Sequence, residues 1–201
     1  MPYTFISMPK DDGSFVWNDT QNQHVYHKSG DTWSYSHALT KTSGATATVG
    51  ALYHQAMSIN ENYFASGGFT WKPSGQTANS GIVHLYYIKN STTWNYTELY
   101  RPGGGYTTAY QFGRATAINN DNILCVSAYG EKKVYIYSLS NDGTNATATS
   151  LTNLTFSYGI SNVSLTNDYL MVGMKNSGGG SYDGEIYFYE KINDTTWTED
   201  T

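Results

Sequence analysis

The chain has 201 residues, 13% of them charged and 15% aromatic, with 19 Tyr, 20 Gly and a formal net charge of −5. That length can bury a sizeable core, and a low-charge, Tyr- and Thr-rich composition suits pleated sheets rather than disorder. The absence of a basic stripe excludes nucleic acid as an expected partner, and the absence of an apolar run of ~20 residues excludes a membrane-spanning helix.

In chain order, the first unit opens on an apolar strand, Tyr3-Thr4-Phe5-Ile6-Ser7, with neither the basic nor the apolar region of a signal peptide before it. Two more strands are expected at His24-Val25-Tyr26-His27 and from Asp31-Thr32-Trp33 to Leu39. His24 and His27 resemble a metal pair. Positions three apart in a strand point to opposite faces, so no shared ion is expected.

The second unit has four expected strands: Ala56–Ile59, Tyr63–Gly67, Ile82–Tyr87 and Thr93–Leu99. The third repeats them at Ala115–Ile118, Ile123–Ser127, Val134–Tyr137 and Leu151–Phe156. The fourth repeats them at Asn162–Leu165, Tyr169–Gly173 and Ile186–Tyr189, and Thr196-Trp197 starts a last strand. A polar turn separates the first two strands of each full unit: Asn60–Asn62, Asn119–Asn122 and Thr166–Asp168.

The units are 1–49, 50–109, 110–156 and 157–201, a period of roughly 45–60 residues with four short antiparallel strands each, which is the signature of β-propeller blades. The expected fold is therefore one all-β region over 1–201, a β-propeller of four-stranded antiparallel blades with about four repeats. Val134-Tyr135-Ile136-Tyr137 is apolar on both faces, as a strand sandwiched between neighbouring sheets requires. The first unit starts at its second strand, so the expectation is an incomplete ring, or one that another chain completes, with a four-bladed ring as the remaining option. Cys125 lies in an apolar run and is expected to be a buried small hydrophobe.

The pattern resembles the FG-GAP, or integrin-α-like, β-propeller repeat. Phe112-Gly113 and Tyr158-Gly159 match the family's opening, and Gly173 matches its Gly-Ala-Pro, with Met174-Lys175 in place of Ala-Pro. Gly81–Tyr86 and Gly184–Tyr189 match its third strand, and Ser29-Gly30-Asp31-Thr32-Trp33 its last. Metal-binding members of that family carry Asp-x-Asp-x-Asp-Gly between the first two strands. The corresponding turns here have too few acids for Ca²⁺, so no metal or other cofactor is expected.

Alternating strand direction puts the loops after second and fourth strands on one face. These are the long, varied loops, and they supply the candidate ligand-binding residues Phe15, Trp17, Trp71, Lys72, Arg101, Tyr106, Tyr110 and Tyr182. Aromatic and Arg side chains on loops of a rigid scaffold are common interface anchors. For Trp17 and Trp71 the competing expectation is that the rings fold back and cap the blades. The opposite face has short turns with the candidate glycosylation sites Asn90, Asn145 and Asn193. Seven Asn-x-Ser/Thr sequons in all favour an extracellular or surface-associated protein.

No Arg triad, paired carboxylates or Ser/His/Asp spacing supplies a catalytic set. The leading expectation is a non-enzymatic module that presents an aromatic loop face to a protein or a glycan. A structural subunit of a surface, shell or fibre, associating with itself, is the alternative. A propeller-based glycan-processing enzyme using Asp11, Asp12 or Asp183 comes last.

Overall fold

The computed structural model describes residues 3–7, 23–39, 56–72, 78–90, 93–104, 109–175 and 184–200. They form antiparallel sheets, each a meander in which consecutive strands pair. Sheet one has β1 (Tyr3–Ser7), β2 (Gln23–Ser29) and β3 (Thr32–Leu39). Sheet two has β4 (Ala56–Ile59), β5 (Tyr63–Gly68), β6 (Ile82–Asn90) and β7 (Thr93–Leu99). Sheet three has β8 (Phe112–Ile118), β9 (Ile123–Ala128), β10 (Lys133–Asn141) and β11 (Ala146–Thr155). Sheet four has β12 (Gly159–Leu165), β13 (Tyr169–Lys175), β14 (Gly184–Asn193) and β15 (Thr196–Asp200).

The sheets coincide with the four sequence units. Several strands extend further than expected, among them β8, β10, β11 and β14. β11 begins at Ala146 rather than Leu151, because a tight turn directly follows the end of β10 at Asn141: the Asp142 carboxylate accepts the backbone N–H of Thr144 and of Asn145, each at 2.7 Å. β15 is a full edge strand, pairing with β14 from Phe188 to Asn193.

Sheets two, three and four stack face to face. One core joins sheets two and three, where Tyr63, Ala65, Val83 and Leu85 meet Leu124, Val126, Tyr135 and Tyr137. A second joins sheets three and four, where Ile123, Cys125, Val134 and Ile136 meet Ile160, Leu170, Val172 and Tyr189. Sheet three is thus covered on both faces, which is why β9 and β10 are apolar at consecutive positions. Cys125 is fully buried and burial pushes its thiol pKa up. Phe64 and Tyr86 begin a third cluster on the far side of sheet two, with Trp94 and Tyr96.

The first strands of successive sheets converge. Ser58 Oγ donates to Thr116 Oγ1 at 3.1 Å across β4 and β8. Residues of β4, β8 and β12 line one cavity. Inner strands gathered round a common axis, with sheets stacked about it, make the arrangement propeller-like. Among the described residues no helix is long and apolar enough to cross a membrane.

The polar turns after the first strands form a hydrogen-bonded ladder. Asn60 Oδ1 accepts the N–H groups of Asn62 and Tyr63 at 2.9 and 2.8 Å, while its Nδ2 donates to Asn119 O at 2.8 Å. Asn119 repeats this one sheet on: Oδ1 accepts from Ile123 N at 2.8 Å and Nδ2 donates to Thr166 O at 3.1 Å. Each buried amide closes its own turn and fastens the next. Asn119→Ala strands buried backbone groups in two turns, so it should cost about 1–3 kcal/mol in chemical denaturation. Asn120→Ala, at an exposed position, should stay within about 0.5 kcal/mol.

Candidate functional site

The loops after β5, β7 and β9 meet at one end of the inner strands, as strand alternation requires. A cavity of about 320 Å³ opens at this end, and its lining includes Met57, Phe69, Arg114, Thr116, Ser161 and Asn162. Three inner strands therefore contribute to one opening.

Arg114 is the central cation of this opening. Its guanidinium lies 4.9 Å from the Phe69 ring centroid and 4.5 Å from that of Tyr129, and Nη1 donates to Gln111 Oε1 at 2.8 Å. Stacking on two aromatic faces fixes a planar guanidinium without neutralising it. The geometry begins in the backbone. The β8–β9 register shifts between Phe112 and Thr116, and Gly113 has φ +82°. That bulge turns Arg114 toward the cavity. Ser127 Oγ accepts the N–H of Ala115 at 2.9 Å, so the irregular backbone stays satisfied. Tyr129 belongs to a single 3-10 turn, Tyr129–Glu131, after β9. Gly159 gives its ring room, because a Cβ there would come within 2.5 Å of the ring.

Arg101 and Tyr110, expected as contact residues, form a neighbouring buttress. The Arg101 guanidinium lies 3.9 Å from the Tyr110 ring centroid, and Nε is 2.8 Å from Glu131 Oε1. Nη1 also donates to the carbonyls of Pro102 and Gly104. Tyr135 OH donates to the other Glu131 oxygen at 2.7 Å. Burial and that bond to Glu131 push the Tyr135 pKa up. The chain Tyr110, Arg101, Glu131, Tyr135 ties the loop after β7 to the 3-10 turn, so Arg101 is largely occupied in holding the rim together.

Trp71 is buried, its ring centroid 5.4 Å from that of Tyr100. Its backbone N–H donates to Gly68 O at 3.0 Å, and its backbone carbonyl accepts from Gly81 N at 3.1 Å. The structure therefore places Trp71 as a cap over sheet two, the competing expectation for it, and not on the open surface. Lys72 follows, half-buried. Phe15, Trp17, Tyr106 and Tyr182 lie outside the described residues, as do Asp11, Asp12 and Asp183.

On the opposite face, Asn145 is exposed just before β11 and Asn193 is exposed at the end of β14. Asn193 Oδ1 accepts from Thr195 N and Oγ1, each at 3.0 Å, which is turn chemistry. Asn90 is near the end of the β6–β7 hairpin, opposite Thr93. His84 is buried with its ring 5.8 Å from that of Tyr96. Among the described residues no group of three or more His, Cys, Asp or Glu could hold a metal ion.

The sequence reading missed Arg114, Phe69 and Tyr129. Arg114 stands directly after Phe112-Gly113, and a positive-φ glycine at the start of an inner strand was the available signal.

No family model matches the chain, and no curated protein matches it. Among solved structures it is similar to Sqt1 of Saccharomyces cerevisiae at 13% identity, over 78% of this chain and 35% of that one, with a TM-score of 0.49. It is also similar to 1,3Gal43A, an exo-β-1,3-galactanase from Clostridium thermocellum, at 13% identity, over 98% of this chain and 45% of that one, with a TM-score of 0.53. The chain thus spans less than half the length of either structure. At 13% identity the likeness to the galactanase concerns the fold alone.

Proposed function

We propose that the chain is built of β-propeller blades of the FG-GAP, integrin-α-like kind and acts as a non-enzymatic binding module. Its ligand-facing surface is the loop end of the inner strands, and its preferred ligand is another protein. The observation that carries this reading is the Arg114 guanidinium, held between Phe69 and Tyr129 at the mouth of a cavity to which three inner strands contribute. A rigidly held guanidinium beside aromatic rings is a common anchor for a partner's carboxylate or backbone carbonyl. Placement of the loops on a stacked-sheet scaffold supports the same reading.

Thr116, Ser161 and Asn162 supply hydroxyl and amide groups to the wall of the cavity. That polar lining favours a second reading, a glycan ligand.

The test is a screen of the immobilised chain against a surface-protein library and a glycan array, followed by titration of each hit. Arg114→Met should weaken the true ligand at least about tenfold, roughly 1.4 kcal/mol, while the melting temperature holds. A saturable ligand indifferent to Arg114→Met would sink this placement. Turnover of a glycan by the wild-type chain would overturn the non-enzymatic reading.

A further inference from the structure

The hydrogen bonds already made in the cavity wall define what kind of group fits beside it. One N–H of the Arg114 guanidinium donates to Gln111 Oε1, and Phe69 and Tyr129 lie against the planar group. None of these three partners is charged. Among the described residues no carboxylate pairs with Arg114. Glu131, on the same 3-10 turn as Tyr129, is engaged by Arg101 and Tyr135 instead. The other N–H groups of the fork therefore remain for a ligand.

Two further wall residues keep donors in hand. Thr116 Oγ1 accepts from Ser58 Oγ at 3.1 Å, which occupies a lone pair and leaves its own O–H. Thr116 is buried, so bulk water does little to satisfy that proton. Asn162 Oδ1 accepts the N–H of Val163 at 3.0 Å, which leaves its Nδ2 group. Ser161 differs, because its O–H already donates to Gly173 O at 3.2 Å. Arg114, Thr116 and Asn162 come from two neighbouring inner strands, β8 and β12, and line the same space. Their unused hydrogen-bonding capacity is mainly that of donors around one cation.

Such a wall calls for an acceptor that carries one negative charge. A carboxylate accepts through both oxygens, has no proton to place, and matches a guanidinium fork edge to edge. A backbone carbonyl accepts too, but leaves the half-enclosed charge uncompensated. A phosphate dianion brings more charge than one guanidinium balances. Sugar rings dock on aromatic faces, and the two rings here each lie against Arg114 already. Met57 and Phe69 supply apolar wall for the short methylene stem of an acidic side chain. Resting on the binding reading above, we infer that the cavity takes the carboxylate of an Asp or Glu side chain from an acidic segment of a protein partner, with Arg114 as counter-charge and Thr116 and Asn162 as flanking donors.

The experiment titrates the isotope-labelled chain with the capped tripeptide acetyl-Gly-Glu-Gly-amide and follows the Arg114 Nε–H and Asn162 Nδ2–H resonances by heteronuclear NMR. The acidic peptide should bind saturably, with a dissociation constant on the order of 1–10 mM for so small a probe. Acetyl-Gly-Gln-Gly-amide, of the same shape without the charge, should bind at least about tenfold more weakly. Methyl glucuronide and inorganic phosphate should also bind more weakly than the acidic peptide. Arg114→Met should abolish the peptide-induced shift at Asn162, with Arg114→Gln as the second variant if the first fails to fold by near-ultraviolet circular dichroism. Asn162→Asp, at an exposed position, sets a like charge in the wall and should weaken the peptide at least about threefold. Equal binding of the Glu and Gln peptides, or no saturable binding of the Glu peptide, overturns the inference. So does tighter binding of the glucuronide or of phosphate, which gives the site to an acidic glycan or a phosphorylated group. A protein hit from the screen above that requires Arg114, yet binds unchanged once its acidic residues are replaced by Asn and Gln, overturns the carboxylate alone and leaves the binding module standing. Hits indifferent to Arg114→Met, with the Glu peptide still held at Arg114, sink the module's placement and leave the carboxylate site.

Discussion

Gly113→Ala should lower the unfolding free energy by about 3–4 kcal/mol, from backbone strain plus forced overpacking. Gly113 has φ +82°, and a Cβ built there lies 2.6 Å from Ile82 O and 3.2 Å from Gly67 Cα. Both neighbours are backbone atoms of sheet two, so no side-chain rotation relieves the clash. Phe112 N donates to Ser80 O at 3.0 Å just before this point, which holds β8 against the start of β6. Gly143 provides the control. It also has φ +82° but meets nothing within 4 Å, so Gly143→Ala should cost only the conformational part, about 1–2 kcal/mol. The difference between the two variants in equilibrium denaturation reads the close approach of sheets two and three directly. Equal losses would mean that the sheets part freely at this crossing and that the stacking described here is wrong there.

That crossing also explains why much of the fold was legible in the sequence. Gly113 must be glycine for the sheets to meet, and Phe112 beside it is fully buried, so the Phe-Gly pair marks where an inner strand enters. The double-sided apolarity of Val134-Tyr135-Ile136-Tyr137 likewise follows from burial on both faces. What the pattern could not reveal was direction. Arg114 reads as one charged residue in an apolar strand, and only the bulge at Gly113 turns it toward the cavity. Tyr129 and Glu131 lie in the shortest of the second-to-third-strand loops, Ala128 to Lys132, which loop length alone marks as the least functional. The structure puts both on the loop face, Tyr129 beneath Arg114 and Glu131 against Arg101. A single 3-10 turn suffices to aim two side chains, which loop length does not reveal. Trp71 is the opposite case. A long loop suggested an exposed anchor, but a large apolar ring gains more from burial against Tyr100 than from solvent.

Trp71→Ala is accordingly expected to act on stability first. Removing a buried indole leaves a cavity over sheet two and should cost about 3–5 kcal/mol. For a chain of this size, that is a drop of roughly 10 °C or more in melting temperature. Arg114→Met should show the reverse pattern. Its guanidinium is half-buried at the rim, and methionine retains the unbranched apolar stem between Phe69 and Tyr129, so stability should change by less than about 1 kcal/mol. Ligand affinity, measured by calorimetry well below the Trp71→Ala melting temperature, should then separate the two roles. Trp71→Ala should shift it less than about threefold, because the ring is enclosed and only the path of the Phe69 loop is perturbed. Arg114→Met should shift it at least about tenfold. If Trp71→Ala abolishes binding yet melts like wild type, the indole is a surface anchor after all, and the loop after β5 must open to deliver it.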